Sequence, residues 1–357
     1  MKFGLSEDQT LLDATVRRLL ADQIPLDAVR RYAEGDGDQE NWNALCELGL
    51  GGVLVPESAG GLGLGILDAA VLAEALGYYV TPAPFLGSAV LFPRALTQAG
   101  LSEAEPWHGR LGEALGGALR VGVALPQAGG QRGRDSVQAA GQALSGTVNL
   151  ALDDAAQAYL VGADDGALWW VGADAPGFTR EAFETVDRTR RSVKITLSEC
   201  PATLLSQNPA VLADLRAVAW VMLAADTLGA SRAMLEKAVA YAGEREQFNR
   251  PIATFQAVKH MCAEMAAEIE PCTALVWYAA HCQDHLPQEA ATTAGHAKAL
   301  LGDVGQFVAK TATEVHGGMG FTDLVGLHYW FKRIGFNRQC FGNPQRVRAE
   351  LAELQGW

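Results

Sequence analysis

Apolar residues from Leu11 to about Leu115 recur at helical spacing. Leu11, Leu12, Val16, Leu19 and Leu20 form a stripe that one face of a helix would bury. Trp42, Leu45, Leu48 and Leu50 follow after the loop Glu34-Gly35-Asp36-Gly37-Asp38, and a glycine-rich loop over 55–65 leads into a helix predicted near Leu67 to Leu76. The period then changes. Residues 119–125, 159–162 and 192–197 read as strands, the last alternating at period two, and Trp169-Trp170 falls in a strand as well. Ala128-Gly129-Gly130, Asp164-Asp165-Gly166 and Ala175-Pro176-Gly177 separate them. Helical spacing returns at Val211: Leu223, Leu228, Met234 and Val239 populate one helix. Val258, Met261, Cys262, Met265 and Ile269 make a stripe on the next, with the methionines as core filler. The pattern predicts a mainly α protein with a middle β domain, divided as 1–117, 118–206 and 207–357.

Composition narrows the class. The 357 residues, 49% of them hydrophobic, suffice for a large core. Every apolar run is interrupted short of the ~18 residues that span a bilayer. The segment Met1-Lys2-Phe3-Gly4-Leu5-Ser6 carries neither an apolar signal core nor an Arg-rich presequence, so a cytoplasmic protein is expected. A formal net charge of −13 argues against a nucleic-acid binder, while leaving room for an anionic substrate at a local Arg cluster. The cysteines (Cys46, Cys200, Cys262, Cys272, Cys282, Cys340) form no Cys-x-x-Cys pair and read as buried free thiols. His281 and His285 stand at i, i+4 without a third ligand in view, so no metal is expected.

The chemistry gathers in two segments. One runs Arg245-Glu246-Gln247-Phe248-Asn249-Arg250-Pro251-Ile252 and on to Phe255-Gln256; the other is His316-Gly317-Gly318-Met319-Gly320-Phe321-Thr322. A guanidinium offers phosphate oxygens a rigid fork of donors, and glycines let backbone approach a phosphate closely. Together the segments resemble the acyl-CoA dehydrogenase family, whose members carry Arg-x-Gln-Phe-Gly-x-Pro-Ile and Gly-Gly-x-Gly-Phe at this spacing. The string Pro56-Glu57-Ser58-Ala59-Gly60-Gly61 resembles the same family's N-terminal domain.

The resemblance implies an N-terminal helical domain, a β-barrel-like or sandwich insert and a C-terminal four-helix bundle that mediates oligomerisation. It implies FAD, with both segments building its site and the first reaching to the cofactor of a neighbouring subunit. Arg245 and Gln247 would be polar contacts, Phe248 and Phe255 packing, and Gln256 and the Gly317-Gly318 backbone would lie nearby. Glu314 stands where many relatives have Gln, an acid unfavourable beside a pyrophosphate unless paired. Asn249 replaces a glycine and tolerates left-handed backbone. The family's Thr-Glu-Pro-x-x-Gly-Ser segment, which touches the flavin, matches Ala124-Leu125-Pro126-Gln127-Ala128-Gly129-Gly130, without its hydroxyl and carboxylate. The implied reaction is α,β-dehydrogenation of an acyl-CoA thioester. A carboxylate takes the α-proton, flavin takes the β-hydride, and electrons pass to an electron-transfer flavoprotein.

The base is missing from its usual places. One branch of the family puts its Glu where this chain has Phe341, and another where it has Ala219. Asp226, two helical turns from Ala219, is the nearest acid on that face, with a pKa expected to be raised by its apolar run. Asp214 and Asp323 are further candidates. Some bacterial members acting on bulky substrates, notably steroid side chains, join two different subunits of which one supplies the base, with FAD at the interface. The compact length and the segment Asp187-Arg188-Thr189-Arg190-Arg191 are similar to the shorter of those subunits. Arg188, Arg190 and Arg191 read either as solvated charges or as CoA-phosphate contacts. Two readings stay open: a self-sufficient dehydrogenase, homo-oligomeric and using Asp226, or a base-less subunit of a heterotetramer. A flavin oxidase on the same fold is a third.

Overall fold

The computed structural model describes residues 4–126 and 135–357. Helices α1 (Glu7–Gln23), α2 (Leu26–Glu34), α3 (Gln39–Glu47), α4 (Ile66–Tyr78), α5 (Phe92–Gln98) and α6 (Trp107–Leu115) come first. Strands β1 (Val121–Ala124), β2 (Ser136–Ala140), β3 (Ala143–Leu152), β4 (Ala158–Gly162), β5 (Leu168–Gly172), β6 (Phe178–Phe183), β7 (Ser192–Pro201) and β8 (Thr203–Ser206) follow. The C-terminal part holds α7 (Pro209–Glu244), the two-residue strands β9 (Glu246–Gln247) and β10 (Arg250–Pro251), α8 (Gln256–His285), α9 (Pro287–His316), α10 (Leu327–Gln339) and α11 (Pro344–Leu354). This is the helical, β, helical-bundle order expected. No helix among the described residues is long and apolar enough to cross a membrane.

Local chemistry sets the helix starts. Ser6 Oγ accepts from Gln9 N while Gln9 Oε1 accepts from Ser6 N, a reciprocal cap on α1. Asn208 caps α7, whose first residue is Pro209, and Asn343 does the same for α11. On α1, Val16 and Leu20 are buried, but Leu11 is 67% exposed; it flanks the stripe rather than joining it. Val239 likewise faces outward on α7 at 51% exposure.

The sheet runs β6-β7-β3-β1-β4-β5-β8, with β2 also on β3; β1 and β4 are parallel and the other pairs antiparallel. Alternation along each strand divides two cores. Leu160 and Trp170 face the helices, where Trp170 packs on Phe92 and Trp107. Tyr159, Val161, Trp169 and Ile195 face a separate core inside the curled sheet. Helices α4 and α7 touch backbone to backbone through two glycines. A Cβ at Gly77 would meet Asp226 O at 2.0 Å, and one at Gly229 would meet Glu74 O at 1.9 Å. That contact fixes Asp226 in the middle of the molecule.

Candidate functional site: an open end and a sealed crevice

The two motif segments meet at one end of the bundle. The chain leaves α7 at Arg245 and makes a β9–β10 hairpin whose turn residues Phe248 and Asn249 have φ +55° and +61°. Two successive left-handed residues make the tight turn that matches strand twist, and Asn249 adopts the expected backbone. Phe248 is 85% exposed at the tip. The second segment follows α9, where Gly317 turns the chain at φ +56°. Tyr241, one turn before Arg245, and His316, just before Gly317, stack with ring centroids 4.6 Å apart. His316 Nδ1 donates to Ala312 O (2.7 Å), and burial, aided by nearby Lys237, lowers the imidazole pKa.

This end fits a dinucleotide phosphate. Gly317 and Gly318 are exposed, with nothing of the chain within 4 Å of where a Cβ would stand. Arg245 is exposed and makes no ion pair with the described residues. Gln247 is exposed, its Nε2 donating to Glu246 O (2.9 Å); Phe255 packs edge-on with Phe248. Gln256 opens α8 and Glu314 sits on the last turn of α9, both facing solvent. Residues 127–130, the other part of the expected flavin contact, lie outside the described residues.

The positions where a base would act are buried. Ala219 and Phe341 are buried next to one another's segments: Trp220 Nε1 donates to Phe341 O at 2.8 Å. Lys298 holds the same α10–α11 turn from the other side, donating to Arg338 O (3.1 Å) and Gly342 O (3.0 Å). Burial without a carboxylate partner pushes its pKa down to about 8. Both usual base positions therefore hold buried apolar residues rather than an acid. Beside the α10–α11 turn, a cavity of about 310 Å³ is walled by Leu150, Val186, Phe331, Phe336 and Cys340.

Asp226 is the centre of an ionic cluster. Its carboxylate takes Arg190 Nη2 (2.8 Å), Arg333 Nη1 (3.1 Å) and Asn337 Nδ2 (2.6 Å). Arg333 also reaches Asp187 Oδ2 (3.0 Å), Thr189 Oγ1 (2.6 Å) and Thr81 O (3.2 Å), joining bundle, sheet and N-terminal helices. Burial alone would raise the Asp226 pKa, but Arg190, Arg333 and Asn337 outweigh it and hold the carboxyl below its ordinary range. The sequence-based expectation of a raised pKa is thus reversed, because the guanidiniums arrive from distant segments. Asp214 is paired with Arg94 (2.8 Å), and Asp323 is exposed near His328 (3.6 Å). Arg188 pairs with Glu184 (3.6 Å), and Arg191 donates to Tyr32 O (2.9 Å). His281 and His285 stack at 4.2 Å, with no cluster of three metal-ligating side chains among the described residues.

Sequence reasoning missed Arg333, Asn337, Trp220 and Lys298. Lys298 was visible in principle, a cation inside the apolar string Ala297-Lys298-Ala299-Leu300-Leu301. It also missed the π-helical segment Leu86–Leu91, where Ser88 Oγ accepts from Val121 N (3.0 Å).

A helical domain, a curled sheet and a helical bundle ending in an Arg-Gln-Phe hairpin beside a Gly-Gly turn define a flavoprotein dehydrogenase class. Sequence profiles make it specific: acyl-CoA dehydrogenase, N-terminal domain, matches residues 6–104, and acyl-CoA dehydrogenase, C-terminal domain, residues 217–354. The chain belongs to the acyl-CoA dehydrogenase family. It is 31% identical over 360 residues to acyl-CoA dehydrogenase IpdE2 of Mycobacterium tuberculosis (strain ATCC 25618 / H37Rv), covering 98% of each chain. Among solved structures, a variant of the Tcur3481–Tcur3483 steroid ACAD superposes with TM-score 0.89 at 31% identity over 98% of both chains. A structure of PigA with FAD and proline shares the fold, at TM-score 0.86, 20% identity and coverage of 100% and 99%.

Proposed function

We propose that this chain is the base-less subunit of a two-chain, FAD-dependent acyl-CoA dehydrogenase, completing the cofactor site of a partner that supplies the carboxylate. The observation that carries this reading is that both base positions hold buried apolar side chains, Ala219 and Phe341, with Trp220 beside the first bonded to the backbone of the second. The similar Tcur3481–Tcur3483 steroid ACAD is named for two chains, which supports a heteromer and a bulky acyl-CoA thioester as substrate.

In this reading Arg245 and Gln247 donate to the cofactor's phosphates, the Gly317-Gly318 backbone admits them closely, and Phe248 packs against the partner. Bound FAD would accept the hydride during α,β-dehydrogenation and release electrons to an electron-transfer flavoprotein. The chain's own crevice is structural. Asp226 stays ionised as a tie between three domains, and a carboxylate held below its ordinary pKa by two guanidiniums is a poor proton acceptor.

The test is to purify the chain alone and co-expressed with a base-bearing dehydrogenase chain, then measure flavin per chain. Little flavin alone and retained flavin in the pair is the expected result. A yellow, stoichiometric flavoprotein that an acyl-CoA bleaches without a partner would overturn it, and would direct attention to the cavity beside Cys340.

A further inference from the structure

We infer that Arg250 is a second phosphate-binding guanidinium at this cofactor site, paired with Arg245 across the hairpin. The inference rests on the cofactor reading above and adds a residue that the family string leaves unspecified.

Register places it. Arg250 stands directly opposite Gln247 and Pro251 opposite Glu246, while Ile252 N donates to Arg245 O at 2.8 Å and extends the ladder by one pair. Side chains alternate between the faces of a ribbon, and opposed residues share a face. Arg245, Gln247 and Arg250 therefore occupy one face, and Glu246 the other.

Arg250 is also oriented. Its guanidinium carbon lies 4.2 Å from the centre of the Phe255 ring, and Phe248 packs edge-on against that same ring at 6.1 Å. A guanidinium stacked on an aromatic face loses less freedom on binding than a free one. Arg250 is exposed and has no carboxylate partner among the described residues.

Charge explains why a second cation is useful. A dinucleotide pyrophosphate is a dianion, whereas one guanidinium carries a single charge. This chain has a formal net charge of −13 and places Glu314 on the last turn before Gly317-Gly318. Arg250 adds the cation that offsets an acidic neighbourhood.

The experiment titrates FAD into the flavin-stripped assembly that this chain forms, comparing wild type with Arg245→Gln, Arg250→Gln and Phe255→Leu. Size-exclusion chromatography and circular dichroism check assembly and folding in each. Arg250→Gln is expected to weaken FAD binding about tenfold, with a smaller dependence on salt than wild type. Phe255→Leu should give a smaller loss, since it keeps the cation and removes its platform. Weakening by Arg245→Gln alone would overturn the inference and leave the cofactor reading standing. No weakening by either arginine variant would overturn both. Reduced assembly by Arg250→Gln, with unchanged FAD affinity in the assembled fraction, would also overturn it and make Arg250 a partner contact.

Discussion

The hairpin end and the central crevice are built from the same kinds of residue to opposite effect. At the hairpin, Arg245, Arg250 and Phe248 are exposed, and neither arginine has a carboxylate partner among the described residues. In the crevice, Arg333 and Asp226 are buried and paired with each other. Exposed guanidiniums and aromatics contribute little to folding and are available for binding; buried, mutually satisfied ones hold domains together and are not. On the proposed reading, the cofactor contacts are kept where the chain faces outward, and packing replaces the base where it would face inward.

That contrast breaks most sharply at Arg333. Replacing it with Met would leave Asp187 buried without its cation and Asp226 with Arg190 alone, and the protein should lose about 3–5 kcal/mol in urea unfolding. Arg245→Gln should change stability by less than about 0.5 kcal/mol while reducing flavin retained by the assembly. If Arg333→Met is as mild as Arg245→Gln, the crevice is not the structural tie described here. Next in size, Phe341→Glu puts a carboxylate into a packed turn and should cost about 2–4 kcal/mol without producing acyl-CoA-dependent flavin bleaching. Bleaching by that variant would show that the crevice is open enough to bind substrate.

Lys298 sharpens the same comparison by pH. Its folded pKa of about 8 lies below the ordinary lysine value, so between pH 8 and about 10.5 the unfolded chain binds the extra proton. Stability from this group therefore rises with pH across that window. Against Lys298→Met, wild type should gain about 3 kcal/mol between those limits, measured by urea titration at each pH. The hairpin end responds at the other extreme. Burial keeps His316 neutral, so falling pH favours the unfolded chain, which binds the proton first; below about pH 6.5 the Tyr241–His316 contact should weaken. The readout is hydrogen exchange at Gly317 and Gly318, and the effect should be the smallest of the set.

Much of the fold was legible because its signals are local. The change from helical to strand spacing near Leu119, the return at Val211 and the Arg-Gln-Phe and Gly-Gly strings are each contained in a short window. Polar edge strands were less so: β6 shows mostly exposed positions and offers no apolar alternation to read. The crevice was misjudged at Asp226 because its neighbours in sequence, Leu223-Ala224-Ala225 and Leu228, are apolar while its partners Arg190 and Arg333 are far along the chain. The absence of a base at Ala219 and Phe341 could be read; that Trp220 and Lys298 seal the spot could not, since both hydrogen bonds go to backbone carbonyls of a distant turn.

The most direct test of a cofactor-completing chain without its own base is an anaerobic titration of the chain alone. It would be supplied with excess FAD and a panel of straight-chain and steroid-derived acyl-CoA thioesters, followed at the flavin absorption band. The account predicts no bleaching with any thioester until a base-bearing chain is added. Bleaching of the chain alone by any one of them would contradict it.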